Sequence, residues 1–391
     1  MQSSVKKRRG TMGKRAAAGR AAGKRLAALF GAAALCLALA RPAAFAAEST
    51  TYTYAISVNF DTDWIRTQDA YVPAGVYLQG AGLSKPEDMF FRGGKLYIAD
   101  TGNGRIAVYD IKTGGLGFVG EGVLSAPTGL YVAEGGEIYA ADYGSGQVYG
   151  FGADGTPFLA ISRPQTYLFS EQSAFKPRAV AVSSGKTIYV AGEGAFEGLM
   201  QFDSGGEFLG YFGANPRDIS AFERMQEIIL SEVQKERVMR RIPRPVTSLA
   251  ISGQDMVYTV TSTPFKNRHG EDSSIYNSIR KLNMAGDNIL DTGEWRMVDM
   301  PNYTDIAVSG RGCIFALSQT GVITEYDPNG EVVFSFGGRA ASAERIGLFT
   351  LPVAVALDEN DFVYVLDKER ALVQAYYPTA FAGATHRAIE A

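Results

Sequence analysis

Histidine, cysteine and tryptophan are nearly missing from this sequence, with two of each among 391 residues. Zinc sites are built from His and Cys, so His269, His386, Cys36 and Cys313 are too few and too scattered to assemble one. They also rule out a disulfide framework. Beyond residue 46 the only thiol is Cys313, in the apolar stretch Gly312-Cys313-Ile314-Phe315-Ala316-Leu317, where it reads as a small core residue. No serine nucleophile elbow, phosphate-binding glycine loop or dinucleotide fingerprint stands between a strand and a helix. Long apolar runs are scarce too. Leu26 to Ala40 spans 15 residues, short of the ~20 that a membrane-crossing helix needs.

That run belongs to a segment unlike the rest. Lys6, Lys7, Arg8, Arg9, Lys14, Arg15, Arg20, Lys24 and Arg25 precede it with no acidic residue, and Ala44-Phe45-Ala46 follows. A basic lead, an apolar stretch and small residues make a secretion signal, so residues 1–46 are expected to be removed. Membrane attachment is expected only if that segment is retained. Cleavage after Ala46 takes away ten basic residues, leaving 28 Lys and Arg against 41 Asp and Glu, a formal charge of −13. A chain this acidic repels phosphate backbones, which excludes nucleic acid as a partner.

What the sequence has in abundance is repetition. Leu96 to Asp110 reads Leu-Tyr-Ile-Ala-Asp-Thr-Gly-Asn-Gly-Arg-Ile-Ala-Val-Tyr-Asp, two short strands about a glycine turn. The unit returns, aligned on Tyr97, Tyr139, Tyr189, Tyr258, Phe315 and Tyr364. Seven residues before the aromatic, five units close a first strand with Val132, Val182, Ile251, Val308 or Leu357. A third strand ends in an aromatic, as at Tyr109 and Tyr326, and a fourth follows a glycine turn, as in Phe208 to Gly213 and Val332 to Gly337. Repeats of several tens of residues must each bury an apolar face on the next. Six units of four antiparallel strands predict an all-β, six-bladed propeller over residues 47–391. The sixth unit runs out after its third strand, while Tyr71 to Gly80 resembles the missing fourth, so this N-terminal strand is expected to close the last blade.

The residues Ile98-Ala99-Asp100-Thr101-Gly102-Asn103-Gly104-Arg105-Ile106, within Pro86 to Gly120, closely resemble the NHL repeat, with weaker copies from Pro127, Pro177, Pro245, Tyr303 and Pro352. The chain thus resembles secreted bacterial NHL-repeat and gluconolactonase-like propellers. The resemblance implies that Asp100 and Arg105 brace a turn. Some such propellers are calcium-dependent lactonases and others are binding scaffolds. The resemblance also implies that amidating-lyase chemistry would need a His-bound metal, for which the histidines are lacking.

Two stretches interrupt the repeats. Residues 214–243 carry a Ser220 and Glu223 capping box, and Phe222, Met225, Ile228, Ile229 and Val233 fall at helical spacing, which predicts one inserted helix acting as a lid or a docking element. Thr261 to Tyr276 is a long polar connection containing His269, expected to be an ordinary exposed loop.

Three residues back from the end of each first strand lies the column Asp88, Gly129, Ala179, Ser248, Asp305 and Ala354. Before it lies Glu87, Thr128, Arg178, Thr247, Thr304 and Val353. From these columns Glu87, Asp88, Arg178, Thr247, Ser248 and Asp305 are expected to line a ligand-binding channel mouth. The expected function is a secreted, monomeric binding or scaffolding module for an envelope protein, a peptide or a glycan, with no cofactor and no catalytic residue assigned. The alternative is a calcium-dependent lactonase-like hydrolase with Glu87, Asp88 and Asp305 on the metal.

Overall fold

The computed structural model describes residues 52–56, 64–166, 169, 174–193, 198–213, 246–261, 278–290, 302–340 and 345–390. Residues 1–46, expected as a secretion signal, residues 214–243, expected as a helical insertion, and His269 in its connection lie outside the described residues.

The described residues form a six-bladed β-propeller. Strands β1 (Tyr54–Ile56), β2 (Trp64–Arg66) and β3 (Tyr71–Tyr77) precede the first blade. Blade 1 is β4 (Asp88–Arg92), β5 (Lys95–Asp100), β6 (Arg105–Asp110) and β7 (Leu116–Val119). Blade 2 is β8 (Pro127–Val132), β9 (Ile138–Asp142), β10 (Gln147–Phe151) and β11 (Pro157–Ile161). Blade 3 is β12 (Lys176–Val182), β13 (Ile188–Glu193), β14 (Leu199–Phe202) and β15 (Phe208–Phe212). Blade 4 contributes β16 (Val246–Ile251), β17 (Val257–Thr261) and β18 (Ile279–Leu282) among the described residues. Blade 5 is β19 (Tyr303–Val308), β20 (Ile314–Ser318), β21 (Val322–Tyr326) and β22 (Val332–Gly337). Blade 6 is β23 (Pro352–Leu357), β24 (Val363–Asp367) and β25 (Leu372–Pro378), completed by β3 from the other end of the chain.

The inner strands β4, β8, β12, β16, β19 and β23 touch in that order, and β23 touches β4, so the ring is closed. Closure rests on the antiparallel pairing of β3 with β25, from Val373 opposite Tyr77 to Pro378 opposite Tyr71, as the repeat pattern predicts. Pro73 is tolerated because β3 is the outermost strand of its sheet.

The apolar runs follow from burial on both faces. Along β5, Leu96 and Ile98 pack toward blade 6 while Tyr97 and Ala99 pack toward blade 2. Each of the six blade junctions holds one such hydrophobic cluster. The six aligned aromatics Tyr97, Tyr139, Tyr189, Tyr258, Phe315 and Tyr364 are all buried in them. Each blade therefore buries its faces only against its two neighbours.

Two end segments depart from the repeat. The β1–β2 hairpin adds to the outer edge of blade 5, where Tyr54 pairs with Ser335 of β22. After β25 the chain forms the helix α1 (Ala380–Glu390). Its Ala382 and His386 are buried, and Thr379 at its start bonds to the backbone of Asp69 and Ala70 beside β3. Among the described residues no helix is long and apolar enough to cross a membrane.

Candidate functional site at the channel mouth

Where the inner strands begin, five of them carry a register irregularity at the same level. It falls between Pro127 and Gly129, Pro177 and Ala179, Val246 and Ser248, Tyr303 and Asp305, and Pro352 and Ala354. The skipped residues are Thr128, Arg178, Thr247, Thr304 and Val353. A bulge gives one strand an extra residue and re-aims its side chain. In blade 1, Glu87 stands at this level just ahead of β4. The column that runs from Glu87 to Val353 is therefore an upper ring, bulged in five of its six blades, and the column that runs from Asp88 to Ala354 is a lower ring next to it along the inner strands.

In the lower ring, Asp88 and Asp305 each fasten their blade to the next. Asp88 Oδ2 accepts from the Leu130 amide at 2.7 Å, and Oδ1 from the Met89 amide at 2.7 Å. Asp305 Oδ2 accepts from the Val355 amide at 2.7 Å, and Oδ1 from the Ser248 hydroxyl at 2.5 Å. These amides belong to innermost strands, whose channel-facing N–H groups have no further strand to pair with. Burial pushes the Asp305 carboxyl up to about 6, against the hydrogen bonds from Ser248 and Val355 that favour its charge. Burial, and then the charge of Asp305, raises Asp88 well above the ordinary carboxylate range. Blade 6 contributes only Ala354 between them, so the two carboxyls feel one another along the wall.

The upper ring is mostly committed to the protein. Glu87 Oε1 holds Lys368 Nζ at 2.6 Å, linking blade 1 to blade 6. Thr128 Oγ1 donates to the Arg178 carbonyl at 3.1 Å, Thr247 Oγ1 to the Val260 carbonyl at 2.9 Å, and Thr304 Oγ1 to the Leu317 carbonyl at 3.2 Å. Arg178 instead lies over the ring of Tyr143, with its Cζ 4.4 Å from the centroid. The Tyr143 hydroxyl donates to Glu193 Oε1 at 2.7 Å, and that bond foremost pushes the phenol above its ordinary value. Lys176 Nζ donates to the Tyr143 carbonyl at 3.1 Å.

The structure thus brings Ser248 to Asp305 and sets Asp88 in electrostatic reach of Asp305, while it ties Glu87 to Lys368. Calcium needs several free oxygens about one point. With Glu87 held by a lysine and each Asp oxygen already accepting, Glu87, Asp88 and Asp305 fit that ion poorly. Among the described residues no three His, Cys, Asp or Glu side chains gather as a metal site. Sequence reasoning missed Lys368, Tyr143, Glu193 and Lys176. A signal was present for two of them, since Tyr143 and Lys368 directly follow Asp142 and Asp367, the acids that end the second strands.

Those acids are braces, as the repeat resemblance implies. Asp100 accepts from the Ser84 amide at 2.7 Å, Asn103 Nδ2 at 2.8 Å and Arg105 Nε at 2.9 Å. Asp142 accepts from the amides of Ser125 and Ala126 at 2.8 and 2.6 Å, and Asp367 from those of Thr350 and Leu351 at 2.7 and 3.2 Å. Each holds the loop that leads into its own blade's inner strand.

No protein-family profile matches the chain. No curated protein sequence matches it. Among solved structures it is similar to a streptogramin B lyase, with 13% identity over 85% of this chain and 94% of that one and a TM-score of 0.43. It is also similar to virginiamycin B lyase from Staphylococcus aureus, with 10% identity over 79% of this chain and 99% of the other and a TM-score of 0.46. The computationally designed protein Ika8 matches with 15% identity over 80% of this chain and 81% of that one, at a TM-score of 0.41. At such identities nothing of these proteins' chemistry passes to this chain.

Proposed function

We propose that this protein is an exported NHL-type propeller that binds a protein, peptide or glycan of the cell envelope at the mouth of its channel. One observation carries this reading: five inner strands bulge at one level and turn a ring of side chains toward the mouth, on a scaffold closed and braced from blade to blade. A rigid ring loses little entropy when it presents such a surface. Export follows from the basic and apolar leader, and the acidic remainder suits a soluble binding module outside the cell.

The test is site-specific photocrosslinking in the producing cell. A photoreactive residue replacing Thr247 or Thr304 at the mouth should yield discrete adducts, and one replacing the exposed Phe158 on an outer strand should yield none. Adducts from Phe158 alone would overturn the mouth as the binding site.

The calcium-dependent lactonase-like hydrolase is the second reading, kept because the charge of Asp305, which accepts from Ser248, reaches Asp88 along the channel wall, even though their oxygens are already occupied. It predicts that calcium raises the unfolding midpoint and that chelator reverses this, because a ligand bound only by the native state must stabilise it. On the binding-module reading calcium should leave the midpoint unchanged, whereas in a chain of this length each 1 kcal/mol of binding raises it by about 1–2 °C, so a saturating ligand bound with several kcal/mol is readily seen.

A further inference from the structure

We propose that the blade 2 and blade 3 sector of the mouth is a carboxylate-binding subsite, in which the Arg178 guanidinium takes the anionic group and Tyr143 holds that guanidinium in place. The assignment rests on the mouth being the ligand site.

Five of the six residues in the upper ring are spoken for: Glu87 by Lys368, three threonines by backbone carbonyls, and Val353 by its lack of polar atoms. Arg178 is different. Its nearest carboxylate oxygen, Glu193 Oε1, is 3.8 Å away, beyond hydrogen-bond length, and that oxygen already accepts from Tyr143. A guanidinium has five N–H donors in a planar fork that matches a carboxylate. The Arg178 and Glu193 side chains are each a little under half exposed, so a ligand carboxylate can reach the fork and displace the loosely held Glu193.

The fork is also fixed in place before a ligand arrives. The Arg178 carbonyl and the Ala179 Cα press against Gly129 so closely that a Cβ there would lie 2.6 Å from that Cα. On the other side, a Cβ on Gly192 would come within 2.9 Å of the Pro177 Cα and 3.0 Å of the Arg178 nitrogen. The bulged backbone is thus pinned between two glycines, and the Tyr143 ring supports the side chain through a cation–π contact. Lys176 Nζ lies 5.3 Å from the same ring. Two cations against one acid leave a local charge of +1 on a domain whose formal charge is −13 after signal removal. A single spare positive charge with a planar fork favours a monoanionic carboxylate.

The test uses the chain from residue 47 onward, with arginine Nε labelled for NMR and titrated with propionate or its neutral analogue propionamide at constant ionic strength. The Arg178 Nε–H signal, assigned by its disappearance in R178Q, should shift saturably with propionate, with a midpoint of tens of millimolar or below, and not with propionamide. E193Q should tighten propionate binding several-fold by removing the internal competitor, and R178K, which keeps the charge but loses the fork and is therefore followed by the backbone amide of Ala179 in uniformly 15N-labelled protein, should weaken it at least fivefold. Equal responses to both probes, or a midpoint unchanged in R178K and E193Q, would overturn the proposal. Propionate binding without mouth crosslinks would retain the subsite and remove the wider function. Mouth crosslinks without propionate binding would do the reverse.

Discussion

Asp305 and Gly129 show at single positions how this ring balances function against stability. Burial raises the Asp305 carboxyl from an ordinary 3.8 to about 6. The folded state therefore favours its protonated form. That contribution is complete below the ordinary value and is lost as pH rises through 6. The stability lost between low and neutral pH is about 3 kcal/mol at most, from the pKa displacement alone. In D305N the amide can still accept from Val355 and can donate to the Ser248 hydroxyl, and it does not titrate. Urea midpoints measured from pH 4 to pH 8 should therefore fall less steeply for D305N than for the parent, and parallel profiles would refute the assignment. Gly129 makes the complementary point. An added Cβ would meet the backbone of Arg178 and Ala179, which cannot swing aside as a side chain could, so G129A should cost about 1–3 kcal/mol. The sequence column showed both positions at the right level of the channel. It could not show that each Asp is consumed by an amide on the next blade, because that pairing depends on how neighbouring blades sit and not on spacing within one.

At the scale of elements, the repeat strands were legible and the end segments were not. Strands buried on both faces write themselves as apolar runs with a recurring aromatic, whereas α1 is a short helix of small residues with a single buried polar anchor. That anchor is His386, whose Nε2 lies 2.7 Å from Glu325 Oε1, with both side chains almost fully buried. Its Nδ1 faces Asp361 at 3.8 Å, the Tyr71 hydroxyl lies 3.5 Å from Nε2, and Arg311 reaches both Asp361 and Glu390 at the rim. A lone histidine in a polar sequence reads as tail because nothing local marks its partner, which is 61 residues away in blade 5. Removing it would leave the buried Glu325 side chain without that hydrogen-bond partner, a change that costs about 1–3 kcal/mol. H386A should therefore lower the denaturation midpoint. The double variant H386A/E325L should recover part of the loss, since no buried polar group is then left without its partner. Equal midpoints for the single and double variants would place the stabilisation elsewhere in the helix.

Over the whole molecule, stability depends on the two ends of the chain meeting. Each blade is held only by its neighbours, so a ring missing one contact becomes an open stack with two exposed faces and a free strand edge. The β3–β25 pairing supplies that last contact, and Tyr71 of β3 also stacks on Phe336 of blade 5 at 4.4 Å, tying the N-terminal strand across the junction of blades 5 and 6. The β1–β2 hairpin is different in kind, because it joins blade 5 through one residue pair at an edge already outside the ring. Two truncations separate these roles. A chain beginning at Gln68 loses the hairpin but keeps β3, and should remain a folded monomer with one cooperative transition and a slightly lower midpoint. A chain beginning at Gly80 loses β3, uncovers β25 along the length it shared with that strand, and leaves Phe336 and Tyr376 without their neighbour. It should form oligomers or aggregates through the bare edge, or unfold in more than one step. Size-exclusion chromatography and thermal unfolding would read both. A cooperative monomer starting at Gly80 would mean that the ring closes without its N-terminal strand, and that the propeller is held by its blade faces alone.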